Sequence, residues 1–381
     1  MTSVREVIRH FFTSVKPLPA GIFHYQSPPS ASRPYRLHLR LEPDGTGLLI
    51  VNAATILHLN QSAAEYAYHI INNASVDETA RQVAGRYRVS KAHAANDFIE
   101  LKDRIQTLID TPDLDPEMFL DFQRISPASG SLSAPYRLDC ALTYRQREDS
   151  LPVLPDHDLN QSELSTSDWI SIIDKAWQAG IPHLIFTGGE PTLRDDLPAL
   201  LTHAENNGQV TGLISDAILF SQPGKLNQFL QTGLDHVVIN LAPDKPSVWT
   251  ALESMIAADL FVTVHLTLTL KNALEAAGIL KKLASYGVKN ISLSTNDPAL
   301  HNTLIDLRNM AANLEMSLIW DLPVPFTSIN PVSLETQEDT VADDSIPTSL
   351  YVEPDGNVLP AQGVNLALGN LLSDPWEKIW Q

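Results

Sequence analysis

One cysteine, Cys140, stands in 381 residues. A single thiol closes no internal disulfide, completes no zinc–cysteine site and cannot alone ligate an iron–sulfur cluster. Long apolar runs are missing too. No stretch approaches the ~18–20 consecutive apolar residues that a membrane-spanning helix needs. The opening MTSVREVIRHFFTSVKPLPAG carries charges inside its apolar pattern and lacks a clean h-region, which argues against a signal peptide and for a soluble cytoplasmic protein. Basic residues are few: 26 Lys and Arg face 45 Asp and Glu, for a net charge of −19. Such a surface repels phosphate, so nucleic acid and anionic membranes are poor partners. No HExxH, G-x-S-x-G, P-loop or G-x-G-x-x-G occurs. His157, His183, His203, His236 and His265 show no paired metal spacing and read as loop or strand-end residues.

What remains is a chain built for packing. Its hydrophobic fraction is 44% and its charged fraction 19%, in the range of globular proteins. The charge is uneven. Arg5, Arg9, Lys16, Arg33, Arg36 and Arg40 face one acid, Glu6, in the first forty residues. This is either a solvated arm or a docking surface for an acidic peptide.

Five segments follow from composition and periodicity. Residues 1–32 are a lead-in ending in the Pro/Ser-rich YQSPPSASRP. Residues 33–110 hold three short strands (RPYRLHLRLEP, GLLIVNA and TILHL) and three helices. Asn60, Ser75 and Ser90 are the predicted N-caps, with Glu78 placed for a capping box. Residues 111–132 are a linker. From 133 to 325 short apolar strands alternate with helical stretches, which predicts an α/β domain on a parallel sheet, its ligand site beyond the strands' C-terminal ends. Residues 326–381 close the chain.

Two motifs carry a resemblance. FTGGEPTLRDDLPALLTHAENNG, residues 186–208, resembles the GGEP segment of radical S-adenosylmethionine (SAM) enzymes. YRLDCALTYR resembles the strand that leads into their cluster loop. The fold implied is a partial (β/α)6 TIM-like barrel. The implied SAM-binding positions are Gly188, Gly189 and Glu190, with Ser215 and Asp216 where the family places a ribose-contacting turn. The family's three cluster cysteines would fall at Gln146, Ser150 and Val153, and none of these supplies a thiolate. Cys140 lies inside the strand and reads as a core thiol. Asp139 and His265 also fall where they can approach the barrel mouth.

The C-terminal LYVEPDGNVLPAQGVNLALGNLLSDPWEKIW resembles the SPASM/twitch segment of the same family, with Ala361 where an auxiliary-cluster cysteine is usual. Turns are expected at residues 354–356 and at Gly369-Asn370, and Trp376 and Trp380 share a helix face. Residues 33–110 resemble the PqqD-like RiPP recognition element, a winged helix-turn-helix. That resemblance implies a leader peptide adding as a strand along Thr55, Ile56, Leu57, His58 and Leu59, beside the last helix.

Taken together, these residues predict a non-radical adaptor rather than an enzyme. No catalytic residue, no metal ligand and no 4Fe–4S cluster are expected. The expected partners are a precursor peptide and an active radical SAM paralogue. The alternative is a cluster-independent enzyme or sensor that binds SAM or another small ligand in the barrel pocket.

Overall fold

The computed structural model describes residues 15–28, 30–31, 33–52, 55–111, 114, 132–148, 162–319, 348–364 and 366–380. Most of the expected linker, together with Ser150, Val153 and His157, lies outside the described residues. The chain divides into two compact units, Met1–Leu132 and Ser133–Gln381. No helix among the described residues is long and apolar enough to cross a membrane.

The first unit is an antiparallel meander followed by three helices. Strands β1 (Gly21–Gln26), β2 (Arg36–Leu41), β3 (Gly47–Val51) and β4 (Thr55–Leu59) pair in sequence order. Alternation sends Leu37, Leu39, Leu41, Leu49, Val51, Leu57 and Leu59 to one face. That face is closed by α1 (Gln61–Ile71), α2 (Val76–Arg86) and α3 (Lys91–Asp110), whose Ala67, Val83, Phe98 and Ile105 complete the core. Each fully buried Leu or Phe there stabilises the fold by about 1.5–3 kcal/mol relative to exposure.

All three expected caps form. Asn60 accepts from Ala63 N, Ser75 from Glu78 N and Ser90 from His93 N. Glu78 does not return the capping-box bond; it accepts from Gln82 on the next turn instead. β1 lies inside the stretch read as lead-in. Phe23 and Tyr25 alternate with exposed neighbours and pack against the core, a pattern too short to stand out beside the proline-rich stretch that follows.

The second unit is a ten-stranded mixed sheet with strand order β11-β10-β9-β8-β7-β6-β5-β12-β13-β14. β5 (Arg137–Thr143), β6 (His183–Gly188), β7 (Val210–Ser215), β8 (His236–Asn240), β9 (Phe261–Leu268), β10 (Asn290–Thr295) and β11 (Ser317–Leu318) run parallel. They alternate with α4 (Thr166–Gln178), α5 (Leu197–Asn207), α6 (Lys225–Leu230), α7 (Pro246–Ala257), α8 (Ala276–Ser285) and α9 (His301–Asn313). β12 (Ser349–Val352) adds in parallel to β5, and β13 (Asn357–Leu359) and β14 (Gly369–Asn370) follow antiparallel.

Along β5, Leu138, Cys140 and Leu142 enter a core shared with Trp169, Ile172 and Ile173 of α4. Cys140 is fully buried, and burial pushes its thiol far above the ordinary range. α4 opens with a full capping box between Ser165 and Asp168.

At the C-terminal end, residues 354–356 turn as expected, with Gly356 at φ +86° and its N–H on Glu353 O. Gly369-Asn370 is not a turn: the pair is strand β14, in register with Val358 and Asn357. In α10 (Trp376–Ile379) and the residue after it, the Trp376 and Trp380 rings stack 6.1 Å apart, and Trp376 Nε1 donates to Ser133 O.

Candidate functional site

The carboxyl ends of β5, β6 and β7 meet at one cluster. Gly188 and Gly189 bring β6 against the strand beside it. Gly189 N–H donates to Thr143 O at 2.7 Å and Glu190 N–H to Arg145 O at 2.8 Å. A Cβ on Gly188 would lie 2.2 Å from Thr143 O, and one on Gly189 would lie 2.2 Å from Arg145 O. Gly188 also sits at φ +119°, which strains any other residue. The two glycines thus have a packing role that needs no ligand.

The chain then turns through a short 3-10 segment, Pro191–Leu193, capped by Glu190. Farther along the same motif, Arg194 fixes the motif's far end. It is paired with Asp196 at 2.7 Å and donates to the Leu142 and Leu164 carbonyls.

Glu190 is 2% exposed and accepts four hydrogen bonds. Oε1 accepts from Thr192 N at 3.0 Å, from Ser215 Oγ at 2.8 Å and from the Thr192 hydroxyl. Oε2 accepts from Asp216 N at 2.7 Å. Burial first, and then the charge of Asp216, push its carboxyl up to about 7, against the pull of those donors. Asp216 Oδ1 caps the next turn by accepting from Ile218 N, and its Oδ2 accepts from Arg147 Nε at 3.1 Å. Arg147 Nη2 donates to Thr192 Oγ1 at 3.0 Å.

The structure therefore brings together all five residues expected from the motif: Gly188, Gly189, Glu190, Ser215 and Asp216. Arg147 and Thr192 join them unforeseen. Asp139 is taken up by Arg137 at 2.8 Å. His265 bonds to Ser292, Thr267 and Ser294, and burial pushes it down to about 3. No hydrogen bond joins either of them to the Glu190 cluster among the described residues.

In the first unit, Thr55–Leu59 forms an outer strand of the sheet and pairs with β3. Leu57 and Leu59 face the core; Thr55, Ile56 and His58 are half-buried. Burial and the nearby Arg40 hold His58 below its ordinary value. A cavity of about 290 Å³ lies elsewhere in this unit, where Tyr25, Tyr35 and Leu37 meet Phe98, Lys102 and Ile105 of α3. In that cavity the last helix meets residues of β1 and β2, and Leu57 and Leu59 of β4 share its core.

A three-thiolate cluster does not fit these residues. Cys140 is the chain's one cysteine; it is buried at mid-strand, and Gln146 occupies the described start of the loop. SAM itself fits better. A buried carboxylate, a second carboxylate and a guanidinium at strand C-termini are the chemistry that an amino-acid end requires.

No family model matches the chain. PqqA peptide cyclase of Xanthomonas oryzae pv. oryzae is 31% identical over 121 residues, 32% of this chain and 31% of the cyclase. The cyclase of Xanthomonas campestris pv. campestris is also 31% identical over 121 residues. The match thus spans about a third of the relatives' length. Streptococcus suis SuiB bound to S-adenosylmethionine superposes with a TM-score of 0.59 at 13% identity, covering 94% of this chain and 88% of SuiB. SuiB bound to its precursor peptide SuiA gives 0.60 at 13%, covering 90% and 87%.

These findings overturn two expectations drawn from the cysteine count: that the chain is no enzyme, and that no cofactor is expected. The matched relatives are named as a peptide cyclase, and the shared fold holds SAM in SuiB. The physical reason is that missing thiolates speak only to a cluster, while Gly188, Gly189, Glu190, Ser215 and Asp216 do come together at the strands' carboxyl ends. The chain is homologous to PqqA peptide cyclase over the matched stretch and has the α/β fold of SuiB.

Proposed function

We propose that this chain is a cytoplasmic, peptide-modifying enzyme that binds SAM at the carboxyl ends of β5–β7 and a precursor peptide on its first unit. The observation that carries the reading is the Glu190–Thr192–Ser215–Asp216–Arg147 cluster. It gathers two carboxylates and a cation where an α/β sheet binds its ligand. The homology to a peptide cyclase supports peptide modification as the reaction class.

In this reading the second unit is a partial (β/α)6 barrel with a SPASM/twitch-like tail. The first unit is a PqqD-like winged helix-turn-helix whose β4 edge, Thr55–Leu59, takes the peptide as an added strand. A radical SAM paralogue belongs to the same proposal, because one cysteine cannot ligate a three-thiolate cluster. The cavity beside α3 favours a second placement of the peptide, with an apolar anchor between Tyr25 and Phe98 and an acidic residue on Lys102.

Calorimetry with SAM tests the core of the reading. Heat of binding and a thermal upshift are expected; neither, at millimolar SAM, would refute it. For the peptide, fluorescence anisotropy with the PqqA and SuiA precursor peptides is compared across His58→Glu and Lys102→Glu. Loss in the first variant supports the β4 edge, loss in the second supports the cavity, and no binding to the wild type refutes the peptide assignment for these precursors.

A further inference from the structure

We infer that Arg147 receives the ligand's carboxylate, so that the site grips an α-amino acid as a zwitterion between a guanidinium and the Glu190/Asp216 carboxylates. This rests on the proposal that the site binds SAM. It adds the residue that does for the carboxylate what no thiolate-held iron in this chain can do.

Arg147 leaves part of its donor capacity unused. A guanidinium carries five N–H donors in a planar fork. Nε donates to Asp216 and one Nη2 hydrogen to Thr192. Nη1 and the second Nη2 hydrogen have no partner among the described residues. The side chain is 26% exposed, and that of Asp216 is 12%. The tether therefore aims the fork while its outer edge stays open. Two parallel N–H groups on such an edge match the two oxygens of a carboxylate.

Charge balance points the same way. Arg147 pairs with Asp216, and Glu190 has no ion pair among the described residues. With both ionised the cluster carries one net negative charge, and burial makes that costly, which is why Glu190 holds its proton to near neutrality. SAM brings an ammonium and a sulfonium against one carboxylate, a net positive charge. Its ammonium supplies the missing cation and its carboxylate takes the open fork. Thr192 fixes the spacing, since its hydroxyl donates to Glu190 and accepts from Arg147. The two gripping groups are thus one hydroxyl apart, the scale of an amino acid's two charged ends.

Isothermal titration of wild type and Arg147→Gln with SAM and with decarboxylated SAM tests this. The second ligand keeps the ammonium and the sulfonium and lacks only the carboxylate. Arg147→Gln is expected to weaken SAM by about tenfold to a hundredfold, the range for a lost charge-assisted hydrogen bond. Decarboxylated SAM should bind Arg147→Gln no more weakly than wild type, and Arg147→Lys should recover part of the loss. Equal SAM affinity in wild type and Arg147→Gln would overturn the role of Arg147 and leave the SAM reading standing. Equal weakening of both ligands would overturn it as well, by showing a structural effect. If wild type binds neither ligand, the SAM reading falls and takes this inference with it.

Discussion

The two ends of the parallel sheet each bury a pair of interacting ionisable groups, and they solve the problem in opposite ways. At the carboxyl end, Asp216 pairs with Arg147, while Glu190 is met by hydrogen-bond donors and by no cation among the described residues. At the amino end, His183 and His236 face each other Nε2 to Nε2 at 2.8 Å. Gly212 makes that contact possible: a Cβ there would lie 2.2 Å from the His236 ring. Burial is the main cause that holds both imidazoles neutral, with His236 pushed down to about 4. One end is unbalanced, with an open guanidinium edge; the other is neutral and satisfied by its own partner. Burial alone therefore does not mark a binding site.

The largest effect that would break this comparison comes from Gly188→Ala. The added methyl meets Thr143 O at 2.2 Å and the backbone sits at φ +119°, so β5 and β6 must separate. Destabilisation of about 3 kcal/mol or more is expected, with loss of SAM binding, read by chemical denaturation and calorimetry. A stable variant with wild-type affinity would show that the carboxyl end tolerates slack.

Glu190→Gln comes next. The carboxyl's folded value of about 7 lies above its ordinary 4.5. Between those values the folded state holds the proton more tightly than the unfolded chain does. Wild-type stability therefore loses a contribution as pH rises from about 4.5 to 7, on the order of 3 kcal/mol at most. Glu190→Gln removes that fall. Denaturation midpoints for both proteins from pH 4.5 to 8 check it, and parallel curves would show that Glu190 ionises freely.

The contrast between the ends also shows what a sequence can display. The GGEP motif pointed to Glu190 and its neighbours because they are contiguous or at a strand end. Helices α4, α5, α7, α8 and α9 stood out because ten or more residues repeat an apolar face. α6, with six residues, is too short to show a period, and it went unread. Arg147 was invisible for another reason: its partners Asp216 and Thr192 lie 69 and 45 residues away. Only the fold makes them neighbours. The histidine pair was hidden in the same way, since His183 and His236 are 53 residues apart and joined across a glycine.

The smallest of the three effects belongs to the amino end and has the opposite pH sign. In His183→Ala the partner His236 loses its buried hydrogen bond, at a cost of about 1–3 kcal/mol. His236 is held at about 4 in the fold against 6.5 ordinarily, so the unfolded chain takes up its proton first as pH falls. Its contribution is present above about 6.5 and is lost toward 4, the reverse of Glu190. The two slopes oppose each other in the wild type. Glu190→Gln should leave stability rising with pH over this window. A His183→Leu/His236→Leu double variant should leave it falling, with SAM affinity unchanged. Should the double variant lose SAM affinity tenfold, the amino end would be part of the site, and the division drawn between the two ends would fail.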